Sequence, residues 1–250
     1  MSDASRVGAA LAPEAVVAIF PGSNCDSETV RALTRAGFRA HGVWHTDLAR
    51  GATLYVLPGG FTYGDYLRPG AIAAHSPALR VLREAVDEDG ALALGICNGF
   101  QILTEAGFLP GSLEPNRPTG FRCRPVTLCP KRAHGPFARA LGTSTVNWPI
   151  AHSTGRYVVS EVVRRELWRG GRVLAVYADP DDPNGSVDRI AAISDETGRI
   201  AGFMPHPERA ADPRLGARDG LRFFERLLRE CEGPQSTSPS EPREVSRHVG

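Results

Sequence analysis

The sequence predicts an α/β fold: a doubly wound, mostly parallel sheet with helices on both faces and an antiparallel extension in its second half. Three observations predict it. Short apolar runs of strand length alternate with helix-like stretches through the first part of the chain. Two of these runs end at Pro-Gly pairs, where a buried parallel strand has to turn. Beyond Phe121 the pattern changes to strand-like segments joined by polar turns.

Ala15 to Phe20 is a β-branched apolar run closed by Pro21-Gly22, a buried strand. Asp26 to Phe38 carries Val30, Leu33 and Phe38 at helical spacing, with Gly37 near its stop. Ala40 to His45 gives a second strand, and Leu54 to Leu57 a third, broken by Pro58-Gly59-Gly60. Ser76 to Asp89 reads as a helix with Ser76 as cap and Pro77 in its first position, where the missing N–H is not needed. Ala91 to Ile96 is another buried strand, and Asn98 to Ala106 returns to helix before Gly107. The βαβ rhythm requires parallel strands with crossover helices. Phe121 to Leu128, Thr145 to Ala151 and Arg156 to Val159 then read as antiparallel strands. A hairpin-type Asn184-Gly185 separates Arg172 to Ala178 from Arg189 to Ser194. Ile200 to Met204 is one more strand, and Gly216 to Glu230 a closing amphipathic helix. Met1 to Pro13 is expected as a mobile tail and Gly233 to Gly250 as a disordered one, which leaves a single domain over residues 14–232.

Composition removes several function classes. The 250 residues are 42% hydrophobic and 23% charged, enough apolar material for a sizeable core. Lys plus Arg number 29 against 28 Asp plus Glu, a net charge of +1, so the basic excess of a nucleic-acid binder is missing. No apolar run approaches the ~18 residues that span a bilayer. The first residues lack the pattern of a secretory signal. Five scattered cysteines with no CxxC pair suit free thiols in a cytoplasmic protein and give no reason to expect a metal site.

The stretch Leu92 to Gln101, LALGICNGFQ, carries the most chemistry. An apolar strand runs into Cys97 and a helix begins at once, with Gly95 and Gly99 two residues away on either side. This is the pattern of a nucleophile elbow with sulfur in place of a serine oxygen. A helix N-terminus favours the thiolate, and the N–H of Asn98 is available to an oxyanion. A thiolate nucleophile also needs a base and a group to orient that base. His206, in MPHPERA directly after a predicted strand, lies between prolines that hold the backbone extended, so His206 and Glu208 share one side. Glu208 can then fix the imidazole tautomer. Leu57-Pro58-Gly59-Gly60-Phe61 ends the third strand at the same sheet edge, which assigns a second oxyanion donor to the N–H of Gly60. The patterns of a phosphate-binding loop are absent.

These motifs, with FPGSNCD (Phe20 to Asp26), GGFTYGDYLR (Gly59 to Arg68), CNGFQ (Cys97 to Gln101) and the FRCRPV and DPNGS segments, resemble the class I, triad-type glutamine amidotransferases. Among these, the resemblance is to the glutaminase subunits of phosphoribosylformylglycinamidine synthases of purine biosynthesis, and it runs from about Val16 to Leu228. It implies that Cys97 forms a glutamyl thioester, that His206 shuttles the proton and that Glu208 orients it. Gly60, Asn98, Gln101 and His152 are the implied oxyanion and substrate-binding residues. It further implies ammonia transfer to a large synthetase subunit that uses ATP and magnesium, with a small third subunit in the complex, and no cofactor on this chain. Where the family commonly reads IAHGEGRY, this chain has Ile150 to Tyr157 as IAHSTGRY, without the acidic residue. An altered affinity or coupling is the expectation there. Pro69 stands where a cysteine is usual, to no evident functional end, and Cys25, which lacks an elbow, is expected to be structural or near a subunit interface. Three alternatives stay open on the residues alone: a glutaminase feeding another synthetase, a free-standing cysteine hydrolase, and a non-catalytic binding module.

Overall fold

Among the described residues nine strands form the main sheet, in the order β2-β1-β3-β4-β11-β10-β9-β6-β7. The computed structural model describes residues 11–178, 180, 182–216 and 218–233, so the two expected tails fall almost wholly outside the described residues. The strands of the parallel half are β1 (Glu14–Ile19), β2 (Arg39–Trp44), β3 (Leu54–Leu57), β4 (Leu92–Ile96) and β11 (Ile200–Phe203). The antiparallel half adds β10 (Ile190–Ser194), β9 (Val173–Tyr177), β6 (Arg122–Pro130) and β7 (Val146–His152). β3, β4, β9, β10 and β11 are buried along their whole length, which is why they read as unbroken apolar runs. β2 is an edge strand, and its alternation with Arg39 and His41 keeps it partly in solvent.

The helices are α1 (Asp26–Ala36), α2 (Pro77–Asp89), α3 (Asn98–Glu105), α4 (Pro136–Leu141), α5 (Glu161–Arg169) and α6 (Asp219–Glu232). The crossovers β1-α1-β2 and β3-α2-β4 run in opposite directions across the sheet, so their common right hand puts α1 and α2 on opposite faces. α1 packs with α6, α6 with α4, and α3 lies on β3, β4 and β11. Phe223 on the inner face of α6 packs with Trp148 and Phe203, all three buried with ring centroids 5.3–5.7 Å apart. Each such pair is worth about 0.5–1.5 kcal/mol beyond its buried area. The caps follow the sequence: Ser76 Oγ accepts from the Ala78 N–H at 3.2 Å ahead of Pro77, and Gly37 closes α1 with φ 109°.

The second half departs from expectation in three places. β9 and β10 do pair antiparallel, but residues 178–189 connect them, so Asn184-Gly185 is not a two-residue hairpin turn. Asn184 is buried instead and donates through Nδ2 to the Gly155 carbonyl at 2.8 Å, a tertiary role that local turn statistics do not carry. The strand expected near Arg156 is β8 (Thr154–Val158), which leaves the main sheet to pair with the short β5 (Ser112–Pro115). β5, α4 and α5 went unpredicted. β5 has only Leu113 buried, α4 is six residues long, and α5 fully buries only Leu167, with Val163 packed partly against the core. Among the described residues no helix is long and apolar enough to cross a membrane.

Candidate functional site

The parallel strands β3, β4 and β11 lie side by side, with Leu57 opposite Gly95 and Phe203 opposite Ile96. Their carboxyl ends therefore open at one edge, the usual ligand edge of an open α/β sheet. Gly59-Gly60, Cys97 and His206 leave from those three ends.

At the central end β4 turns straight into α3 through Cys97, whose φ of 51° and ψ of −103° lie outside the regions an L-residue ordinarily occupies. Such a conformation costs on the order of 1–3 kcal/mol, held here by its surroundings. The Cys97 N–H donates to the Phe203 carbonyl at 2.7 Å. A Cβ on Gly99 would stand 1.9 Å from the Leu57 carbonyl oxygen, and one on Gly95 2.6 Å from the Gly99 backbone. Both flanking positions thus exclude a side chain, as expected for an elbow. The thiol is buried at the start of α3, with Sγ 3.9 Å from the Ala151 carbonyl oxygen.

His206 and Glu208 are brought together as expected: Nδ1 lies 2.6 Å from Glu208 Oε1, with both side chains buried. The route differs from the expected extended segment. His206 is extended at φ −103° and ψ 91°, but Pro207–Ala210 is a 3-10 turn, with Pro207 in its first position. Proline pre-sets the φ of that position, so the turn begins at once and swings Glu208 back beneath the ring. Burial works against the imidazolium. The Glu208 carboxylate, the Cys97 sulfur and the adjoining Cys25 thiol outweigh that and hold the His206 pKa well above its ordinary value. His206 Nε2 is buried with no hydrogen-bond partner.

The remaining expected residues fall into two networks. In the first, Asn98 Oδ1 accepts from the Thr62 N–H at 3.2 Å while its Nδ2 donates to Gln101 Oε1 at 2.8 Å. Gln101 Nε2 donates onward to the Thr154 carbonyl at 2.6 Å. The Gln101 amide is therefore occupied at both ends by the protein, and it braces the Gly60 loop and the 152–155 loop against α3. In the second, His152 Nδ1 lies 3.1 Å from Asn116 Oδ1, which also accepts from the Gly155 N–H. Asn116 Nδ2 donates to the His152 and Gly120 carbonyls, so its oxygen faces the ring and Nδ1 of His152 carries the proton. Burial, reinforced by the charge of His206, lowers the His152 pKa to about 3. His152 is thus a neutral ring with a buried, unpartnered Nε2 acceptor.

Asn116, Cys25 and Arg209 join the site without a catalytic motif of their own. Asn116 lies in an ordinary loop with no local signal. Cys25 has no elbow around it and is buried beside the dyad, where Arg209 Nη2 donates to its Sγ at 3.1 Å. Cys25, His206 and Glu208 present ligand-type atoms within 4.8 Å of one another. A guanidinium on the sulfur and a carboxylate already bonded to the imidazole make this a hydrogen-bonded cluster ill suited to a cation.

Comparison with known proteins identifies the family. The profile of the CobB/CobQ-like glutamine amidotransferase domain matches residues 12–216. Phosphoribosylformylglycinamidine synthase subunit PurQ of Thermus thermophilus is 48% identical over 218 residues, covering 84% of this chain and 96% of that protein. The subunit of the same name from a Synechococcus species is 49% identical, covering 85% and 95%. Among solved structures, a chain of PurLQS from Thermotoga maritima superposes with a TM-score of 0.79 at 40% identity, covering 87% of this chain and 98% of its own.

Proposed function

The chain belongs to the CobB/CobQ-like glutamine amidotransferase family, and from that premise we propose that it is the glutaminase subunit of a phosphoribosylformylglycinamidine synthase. The observation that carries the reading is the strained Cys97 elbow set at the strand end beside the His206–Glu208 pair.

In this reading the Cys97 thiolate attacks the side-chain amide carbon of glutamine. The tetrahedral oxyanion is held by the N–H groups of Gly60 and Asn98, each such donor worth ~2.7–4 kcal/mol of barrier. His206 gives its proton to the departing nitrogen, the carbon–nitrogen bond breaks and ammonia leaves a γ-glutamyl thioester on Cys97. His206 then takes a proton from water, which attacks the thioester; glutamate leaves and the thiolate returns. Glu208 keeps Nδ1 protonated throughout, so Nε2 does the proton transfer. His152, fixed as a neutral ring by Asn116, offers its Nε2 lone pair to an N–H of the bound glutamine. Gln101 positions the pocket loops.

The ammonia passes to a large synthetase subunit that uses ATP and magnesium to convert formylglycinamide ribonucleotide to its amidine, with a small third subunit completing the complex. Exposed apolar side chains support a docking role for the loop after Gly60. Tyr66 is 75% and Leu67 88% exposed, and Leu67 is held at φ 66°. Such a protein works in the cytoplasm. Ser153-Thr154, lacking the common acid, leaves the backbone contact of the Thr154 carbonyl to Gln101 in place.

The test is glutamate release from glutamine by the chain alone, then with the synthetase subunits, ATP and formylglycinamide ribonucleotide. Strong stimulation by the partners is expected. Equal release in both conditions would mean a free-standing hydrolase.

A further inference from the structure

The FPGSNCD segment takes no part in the reaction above, yet it touches both halves of the site. The Gly59 carbonyl accepts from two of its N–H groups, Asn24 at 3.3 Å and Cys25 at 3.1 Å. In a trans peptide the C=O and the following N–H point in opposite directions. A Gly59 carbonyl fixed toward residues 24–25 therefore turns the Gly60 N–H away from them, and among the described residues that N–H has no acceptor. The next peptides are fastened to the same segment, Phe61 N–H to the Gly22 carbonyl at 2.9 Å and Tyr63 N–H to the Pro21 carbonyl at 2.7 Å.

The Cys25 side chain faces the other half. Its Sγ donates to Asn24 Oδ1 at 3.1 Å and accepts from Arg209 Nη2 at 3.1 Å. Arg209 Nε also donates to Glu28 Oε2 at 3.0 Å, on the first turn of the helix that Cys25 precedes. A Cβ on Gly59 would stand 2.7 Å from His206 Cε1 and 3.0 Å from Cys25 Sγ, so thiol and imidazole press against the same glycine. The residue in this space must be small, apolar enough to lie along a ring edge, and still able to accept from a guanidinium. Cysteine meets all three demands.

We propose that Cys25 is a positioning residue for the glutaminase reaction, one that locks the oxyanion peptide through its backbone N–H and the His206 ring through its thiol. The proposal rests on the glutaminase reading and assigns Cys25 no covalent step. One residue thereby keeps the oxyanion donor and the proton donor in register, although they leave from different strands.

The experiment compares Cys25→Ala and Cys25→Ser with wild type in the assembled synthase, with glutamine or ammonium as nitrogen source. Cys25→Ala should lower kcat for glutamine hydrolysis roughly 10- to 100-fold, the scale of a ~1 Å misplacement, with KM for glutamine near wild type. The alkaline limb of its kcat profile, where His206 loses its proton, should move to lower pH, because the thiol is among the groups that hold that proton. Cys25→Ser should recover most of the rate, and ammonium-dependent synthesis should be unchanged in both. If Cys25→Ala does not fold, Arg209→Met frees the sulfur without altering the loop and should lower kcat in the same direction. A wild-type kcat and pH limb in Cys25→Ala would overturn the proposal. Equal losses in Ala and Ser variants that merely follow their melting temperatures would overturn it too. A wild-type complex inert toward glutamine would instead sink the glutaminase reading.

Discussion

His206 Nδ1 and Glu208 Oε1 lie 2.6 Å apart, and neither side chain is more than 2% exposed. A carboxylate so buried carries a large desolvation cost, which its hydrogen bond to the imidazole offsets only with the ring in one orientation. The pair is therefore a rigid unit, and that rigidity is what a proton shuttle between sulfur and the leaving nitrogen requires.

Glu208→Gln keeps the shape and removes the charge. The tautomer of His206 is then no longer dictated, and kcat for glutamine hydrolysis should fall by about 10²–10⁴-fold with little change in KM. Steady-state kinetics of the assembled complex check this. A loss confined to KM would mean that Glu208 binds substrate.

Gly99→Ala should cost about 1–3 kcal/mol or more in denaturant unfolding, because its Cβ would overlap the Leu57 carbonyl oxygen. Activity should fall further than stability, since the strand and helix that aim Cys97 have to separate. An active, stable variant would show that the elbow tolerates a side chain.

His152 makes stability depend on pH. Its pKa is about 3 in the folded chain, against an ordinary value of 6.5, so below pH 6.5 the unfolded chain binds the extra proton. The stability it contributes is complete above pH 6.5. It is lost as pH falls toward 3, at up to about 1.4 kcal/mol per pH unit. Unfolding of wild type and His152→Gln between pH 4 and 8 should give a shallower acid-side decline in the variant. Parallel curves would contradict the assignment.

Gln101→Ala leaves the Asn98 amide and the Thr154 carbonyl without their present partners. A cost of about 1–3 kcal/mol is expected in unfolding. KM for glutamine should rise, because the loops on either side of α3 lose their brace. An unchanged KM would confine Gln101 to a structural role.

The parallel half was legible because its signals are local. A buried strand is an apolar run, and an elbow is two glycines around a cysteine. The dyad was legible in composition but not in conformation: HPE gives the partners, whereas the 3-10 turn at Pro207 decides how they meet. Asn116 and Asn184 were illegible for the opposite reason. Asn116 is an ordinary loop residue in sequence and Asn184 reads only as a turn residue, and the importance of each comes from carbonyls and N–H groups 29 to 39 positions away that folding brings to it. β5 buries one residue in four, too few for an alternating pattern, whereas α5 carries Val163 and Leu167 at helical spacing within a short, charge-rich stretch.

The thioester on Cys97 is tested most directly by quenching the assembled complex during turnover of labelled glutamine, digesting it and locating the bound glutamyl group by mass spectrometry. The label is expected on the peptide carrying Cys97, absent after Cys97→Ser, with the peptide carrying Cys25 unlabelled. A glutamyl group on Cys25, or turnover that survives Cys97→Ser, would contradict that assignment.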